Sequence, residues 1–113
     1  MIAWLLHLLG VKRDYGLMAA GFGAARDPGW EKLEKQLRAE WPTCECCGQP
    51  TEQIHHILPF HKARKLEMCR DNLAAVCQPC HFRIAHGGNW RCWVPDFRRL
   101  AHTVLAAIKA RCE

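Results

Sequence analysis

Residues 44–56 read CECCGQPTEQIHH, and this stretch decides what core the chain can build. It opens on a Cys-x-x-Cys pair, Cys44 and Cys47, and closes on two adjacent histidines, His55 and His56. A second pair, Cys77 and Cys80, follows after 29 residues, immediately before His81. Two such turns offer four thiolates, which match a tetrahedral structural zinc with sulfur at about 2.3 Å. Gly48, directly after the first pair, supports a tight knuckle because glycine takes a positive φ without a Cβ clash. Cys46 competes for a place, but Cys44 with Cys47 has the better spacing. Two disulfides or four buried thiols are the competing reading of the same residues. A four-sulfur site has no open position, so it holds structure and performs no chemistry.

Chemistry would have to come from the residues that this clamp gathers. Neighbours on a strand point to opposite faces, so His55 and His56 cannot line one wall. Closing the sulfur site lays the strand after the first knuckle beside the helix after the second. His81 thereby comes near the His55–His56 pair. Taken singly, each histidine reads as an ordinary surface or core residue, and His7, His61 and His102 carry no argument beyond that.

Ahead of the first knuckle, Asp27 suits a helix N-cap and Pro28 its first turn. Trp30, Leu33, Leu37 and Trp41 then recur at helical spacing as core anchors, and Pro42 ends the helix. Residues 61–71, HKARKLEMCRD, form a polar, basic loop between two short strands. NLAAVCQPCHFRIAH (72–86) runs from strand through the second knuckle into a short helix, closed by Gly87 and Gly88. After Pro95, Asp96 caps a last helix over 96–112, with apolar positions Phe97, Leu100, Val104, Leu105 and Ile108. The chain thus divides into an apolar start with a Gly/Ala-rich connection, residues 1–26, and one domain over residues 27–113.

With 113 residues, half of them apolar, the chain suits one globular domain and excludes wholesale disorder. So small a core gains from a metal staple. The net charge of +5 collects towards the end: residues 81–113 carry six Lys/Arg against two Asp/Glu, residues 1–80 ten against nine. That bias fits an anionic partner, nucleic acid before membrane. The apolar run from Ile2 to Leu9 is too short to cross a bilayer, which takes about 20 residues. Its basic residues follow it instead of preceding it, unlike an export signal. The expectation is a protein of the reducing cytoplasm.

CECCG, HHILP and DNLAAVCQPCH, in that order, resemble the HNH endonuclease family over residues 44 to about 86. The resemblance implies a small α+β fold with a ββα-metal, treble-clef-like core and flanking helices. Cys44, Cys47, Cys77 and Cys80 match the zinc knuckles of one large branch. The family's signature residues fall on His56, Asn72 and His81, with a metal ligand at His55. By this likeness His56 deprotonates the attacking water, since imidazole titrates near neutrality. His55 and His81 hold one divalent ion (Mn2+, Ni2+, Mg2+ or Zn2+) that stabilises the phosphorane charge and the departing 3′ oxygen. Asn72 pins the loop between the strands and orients the His56 ring; on its own it reads as a turn residue. His86, five residues past His81, falls off that helix face and is only a minor candidate for touching phosphate.

The implied substrate is DNA, held mainly by its backbone phosphates. Lys62, Arg64, Lys65 and Arg83 are the contacts to expect, with Arg91, Arg98 and Arg99 behind them; a solvated charged loop is their alternative. No base-reading helix or aromatic stacking platform stands out, so weak sequence preference is expected. The competing function is a non-catalytic zinc-stabilised nucleic-acid-binding or phage packaging-assembly module. The likeness also points to a larger phage or bacterial partner protein.

Overall fold

The computed structural model describes residues 14–15 and 26–112. The apolar run from Ile2 to Leu9 and most of the Gly/Ala-rich connection lie outside the described residues. In chain order the elements are β1 (Asp14–Tyr15), α1 (Trp30–Glu40), β2 (Gln53–His56), β3 (Leu73–Val76) and α2 (Gln78–Cys80). A π-helical turn (His81–Ala85) continues α2, and β4 (Cys92–Trp93) and α3 (Phe97–Cys112) complete the order. The result is a small α+β arrangement.

The antiparallel pair of β2 and β3 organises everything else. Its register is Gln53↔Val76, Ile54↔Ala75, His55↔Ala74 and His56↔Leu73. Alternation along the strands gives the hairpin two faces. Ile54, Leu73 and Ala75 pack on Leu37 with Trp30, Leu33 and Trp41, so α1 covers one face. Ala74 and Val76 join Ile57, Ile84, Phe97, Leu100 and Ala101 on the other, together with the cysteines. Leu37 is wholly buried, a burial that contributes roughly 1.5–3 kcal/mol. His55 stands on the α3 side, 5.3 Å from the Phe97 ring. His56 stands on the α1 side, 4.4 Å from the Trp30 ring. The two imidazoles do point apart.

Helix α1 starts later than Asp27 suggests. The Asp27 carboxylate takes the Gly29 N–H at 2.8 Å and its carbonyl takes the Trp30 N–H at 3.0 Å. Asp27 therefore closes a turn ahead of the helix, and Gly29 occupies the cap. The other end is as expected, with Trp41 leaving helical backbone before Pro42. Only the first half of the α3 stripe is buried: Phe97, Leu100 and Ala101 are inside, while Ile108 is 36% exposed.

Two arginines expected behind the basic surface, Arg98 and Arg99, both make contacts within the chain. Arg98 donates to the carbonyls of Asp71 and Leu73, both at 2.6 Å, and pairs with Glu45 at 3.6 Å. It clamps α3 to the start of β3 and to the first knuckle. Arg99 pairs with Asp96 one helical turn back. β1 pairs with β4, Asp14 opposite Trp93 and Tyr15 opposite Cys92, which ties residues 14–15 to the body of the protein. Among the described residues no helix is long and apolar enough to cross a membrane.

Candidate functional site

The two knuckles meet below the hairpin. In the first, Cys44 N–H donates to Gln49 at 2.7 Å and Gly48 N–H to Cys44 at 3.0 Å, with Gly48 at φ 78°. In the second, His81 N–H donates to Cys77 at 2.9 Å as α2 begins. The sulfurs of Cys44, Cys47, Cys77 and Cys80 all lie within 4.8 Å of one another, and Cys47 Sγ is 3.6 Å from Cys77 Sγ. Four sulfurs at about 2.3 Å from one ion would stand roughly 3.8 Å apart. The quartet therefore has the size of a metal tetrahedron. Cys46 N–H points at Cys44 Sγ from 3.4 Å, which relieves thiolate charge. Hydrogen bonds from the Cys46 and Cys80 thiols hold Cys44 well below the usual thiol range, and the same contacts push Cys46 and Cys80 up. Cys46 itself is fully buried but stands outside the quartet. The described cysteines are thiols without disulfides.

One residue beyond Cys80 begins a second cluster. Ligand atoms of His55, His81 and His86 lie within 4.8 Å of one another, with ring centroids 4.8–5.0 Å apart. His86 was expected off this face, and the reason it belongs is the π turn. Five residues along an α-helix rotate a side chain about 140° away. Here His86 N–H bonds the His81 carbonyl at 3.1 Å, an i→i+5 closure that stacks the two residues.

Hydrogen bonding then fixes which nitrogens face inward. His86 Nδ1 lies 2.7 Å from the Cys92 carbonyl and His81 Nδ1 lies 2.6 Å from Gln53 Oε1. The Cys92 carbonyl can only accept, so His86 Nδ1 carries the proton and its Nε2 a lone pair; with Gln53 accepting through Oε1, His81 takes the same tautomer. Those Nε2 atoms are 3.2 Å apart, and His55 Nε2 is buried with no partner. Three imidazole nitrogens drawn together in this way form a set that a cation between them would satisfy. Nitrogens about 2.0–2.1 Å from one metal ion stand roughly 3.3 Å apart, so the residues fit an ion. Burial lowers the pKa of all three rings and takes His81 to about 4. Neutral imidazole at pH 7 is the form a metal binds. Gln53 and the Cys92 carbonyl also aim the rings, as supporting partners of metal-bound histidines do. Exchange of His86 for Ala is expected to weaken Mn2+ or Ni2+ binding by at least about 100-fold. Loss of a supporting partner alone costs about 10- to 100-fold, and calorimetric titration of the zinc-loaded protein reads the difference.

His56 has a different setting on the opposite face. Its Nε2 donates to the Glu67 carbonyl at 3.1 Å, which leaves Nδ1 with the lone pair. Burial lowers its pKa against the opposing pull of that carbonyl, so the ring is neutral at pH 7. Asn72 grips the loop and not the His56 ring. Its Oδ1 accepts from Leu58 N–H at 2.9 Å, and its Nδ2 donates to the carbonyls of Leu58 at 3.1 Å and Leu66 at 3.4 Å. Leu66 precedes Glu67, so Asn72 steadies His56 through the loop. The buried Glu67 side chain adds a second tie, accepting from Asp27 N–H at 2.9 Å. Asn72→Ala leaves these loop groups unpaired at about 1–3 kcal/mol each. The expected loss is on the order of 3 kcal/mol in urea unfolding; an unchanged midpoint would refute this role.

Lys62, Arg64, Lys65 and Arg83 are all exposed. Lys62 lies over the Trp93 ring at 5.9 Å and Arg64 over Phe60 at 5.5 Å. Arg83 stands apart from them, on a groove of about 600 Å³ lined by Glu52, Gln78, Pro79, Phe82, Arg83 and Trp90. Trp90 is 49% exposed. An exposed indole therefore stands beside the histidines.

Residues 44–86 match the family model for HNH endonuclease. A mitochondrial DNA mismatch repair protein mutS homolog of Sarcophyton glaucum is 42% identical over 48 residues, 37% of this chain and 5% of that protein. The chain thus spans only a small part of that relative's length. No solved structure matches the chain.

Proposed function

Because residues 44–86 belong to the HNH endonuclease family, we propose that this protein is a metal-dependent endonuclease that hydrolyses phosphodiester bonds of DNA. The observation that carries the reading is the convergence of the His55, His81 and His86 nitrogens, with the Nε2 atoms of His81 and His86 only 3.2 Å apart. In this reading β2, β3 and the helical segment that follows form a ββα-metal core, braced by zinc in the cysteine quartet. A divalent ion held by the three histidines would stabilise negative charge on the phosphate and the departing 3′ oxygen. Three imidazoles suit Mn2+, Ni2+ or Zn2+ better than Mg2+.

His56 Nδ1 takes the proton from the attacking water. Glu67 holds the ring by its other nitrogen, so the base is aimed without being neutralised. Phosphate lies at the end of β2, where His55 and His56 diverge and can serve opposite sides of an in-line displacement. The similarity to a stretch of a DNA mismatch repair protein supports DNA as the substrate. A non-catalytic assembly module would have no use for facing lone pairs, and we give that reading second place.

The test is supercoiled plasmid incubated with protein and Mn2+ or Ni2+. Relaxed circles are expected, to be lost with EDTA and restored by excess ion; intact plasmid under every ion overturns the proposal. Affinity for duplex DNA is expected to fall with salt. If Lys62, Arg64, Lys65 and Arg83 each meet one phosphate, log K against log[salt] has a slope of roughly −3 to −4. Each Ala exchange should then flatten it by about 0.9, and a slope unchanged in all four would remove these residues from the interface.

A further inference from the structure

The groove beside the histidines offers an exposed indole face, Trp90, that phosphate binding does not use. We infer that it receives one unpaired DNA base, flanking the phosphate at the histidine cluster and stacked on Trp90. The inference deepens the nuclease reading above and rests on it for the location of the phosphate.

Position comes first. The Trp90 ring centroid lies 5.2 Å from that of His81 and 4.8 Å from that of His86. A phosphate at the cluster therefore puts its own nucleoside within reach of the indole. The surface is also built for a flat ligand. Phe82 braces Trp90 from 5.0 Å at a 50° tilt, and His81 and His86 pack against the ring edge-on or tilted. With three neighbours holding it, the indole stays half exposed, at 49%. A large aromatic side chain fixed in place yet left open is what base stacking needs, because every base offers a π face.

The rest of the rim is polar. Arg83 supplies positive charge for the next phosphate along the strand, while Gln78 and Glu52 offer an amide and a carboxylate to a base edge. Glu52 is held in place by the Gln78 N–H at 3.2 Å. The groove, at about 600 Å³, has the size of small-molecule sites. A base inside a duplex cannot present its face, since both faces are covered by its neighbours. The site therefore selects single-stranded DNA, or a duplex opened at the position of cleavage.

The test compares binding of a short single-stranded DNA oligonucleotide with an abasic strand of the same length. It uses the zinc-loaded full chain in a His56→Ala background, so that strands stay intact, and fluorescence anisotropy as the readout. Both strands carry the same phosphates. The parent is expected to prefer the strand with bases, and Trp90→Ala to lose roughly 5- to 150-fold for that strand alone. Trp90→Phe should keep most of the preference, whereas Trp90→Leu, which retains apolar bulk without the π face, should lose it. Zinc content and melting temperature of each variant report the fold. Equal binding of the two strands by the parent, or an equal loss on both strands in Trp90→Ala, overturns the inference. Plasmid cleavage by the parent separates the two proposals. Cleavage without a base preference removes only the stacking site, and a Trp90-dependent preference without cleavage removes only the nuclease reading.

Discussion

Exchange of His56 for Ala is expected to slow plasmid cleavage roughly 100- to 10,000-fold, the usual range for losing a general base. The ring lies over Trp30 and donates to the Glu67 carbonyl, so truncation also removes a structural bond. That loss costs about 1 kcal/mol, well within the stability of a typical domain, about 5–15 kcal/mol. His56→Gln separates the two effects. A glutamine amide can restore the donor to Glu67 but cannot take a proton at neutral pH. The Gln variant should therefore melt near the parent temperature and still fail to cleave. Nicking at the parental rate by His56→Ala would end the assignment of the base.

A change far from the phosphate should do more damage. In Cys44→Ser, zinc is expected to leave and the domain to unfold. Metal binding in small zinc domains is worth about 10–16 kcal/mol, comparable to or above the whole folding stability of a typical domain, about 5–15 kcal/mol. Cys44 is buried among the quartet, where a serine hydroxyl neither ligates well nor finds another partner. Elemental analysis should show the zinc gone and circular dichroism the cooperative melt gone with it. Cys46→Ser is the matched control, because Cys46 is as deeply buried but stands outside the quartet. It should keep its metal. A Cys44→Ser protein that lacks zinc and melts with the parent would show that the quartet does not hold the fold.

The sequence was most legible where covalent spacing does the work. Two Cys-x-x-Cys turns place four sulfurs, and strand alternation sends His55 and His56 to opposite faces, as the structure has it. His86 was missed because its place depends on one helical turn widening to i→i+5. Nothing in HFRIAH announces that widening, and the regular α spacing argues against it. Trp90 was missed for a related reason: its neighbours are brought by the π turn, not by the motif. Arg98 shows a different limit. This half-exposed basic residue donates to the carbonyls of Asp71 and Leu73 at the start of β3, an engagement that charge counting does not reveal. Asn72 was expected to orient the His56 ring; its hydrogen bonds go to the loop at Leu58 and Leu66, and the loop meets His56 at Glu67.

Cys80 and His81 are consecutive residues, and that adjacency sets an order of dependence between the two ions proposed here. Stripping the nitrogen-bound ion should leave a folded, inactive protein that recovers on refilling. Emptying the sulfur cage should release the short helix that carries His81, scattering the second set of donors as well. Inhibition by chelators would then have a shallow, reversible stage and a deep one that reloading with manganese alone cannot repair.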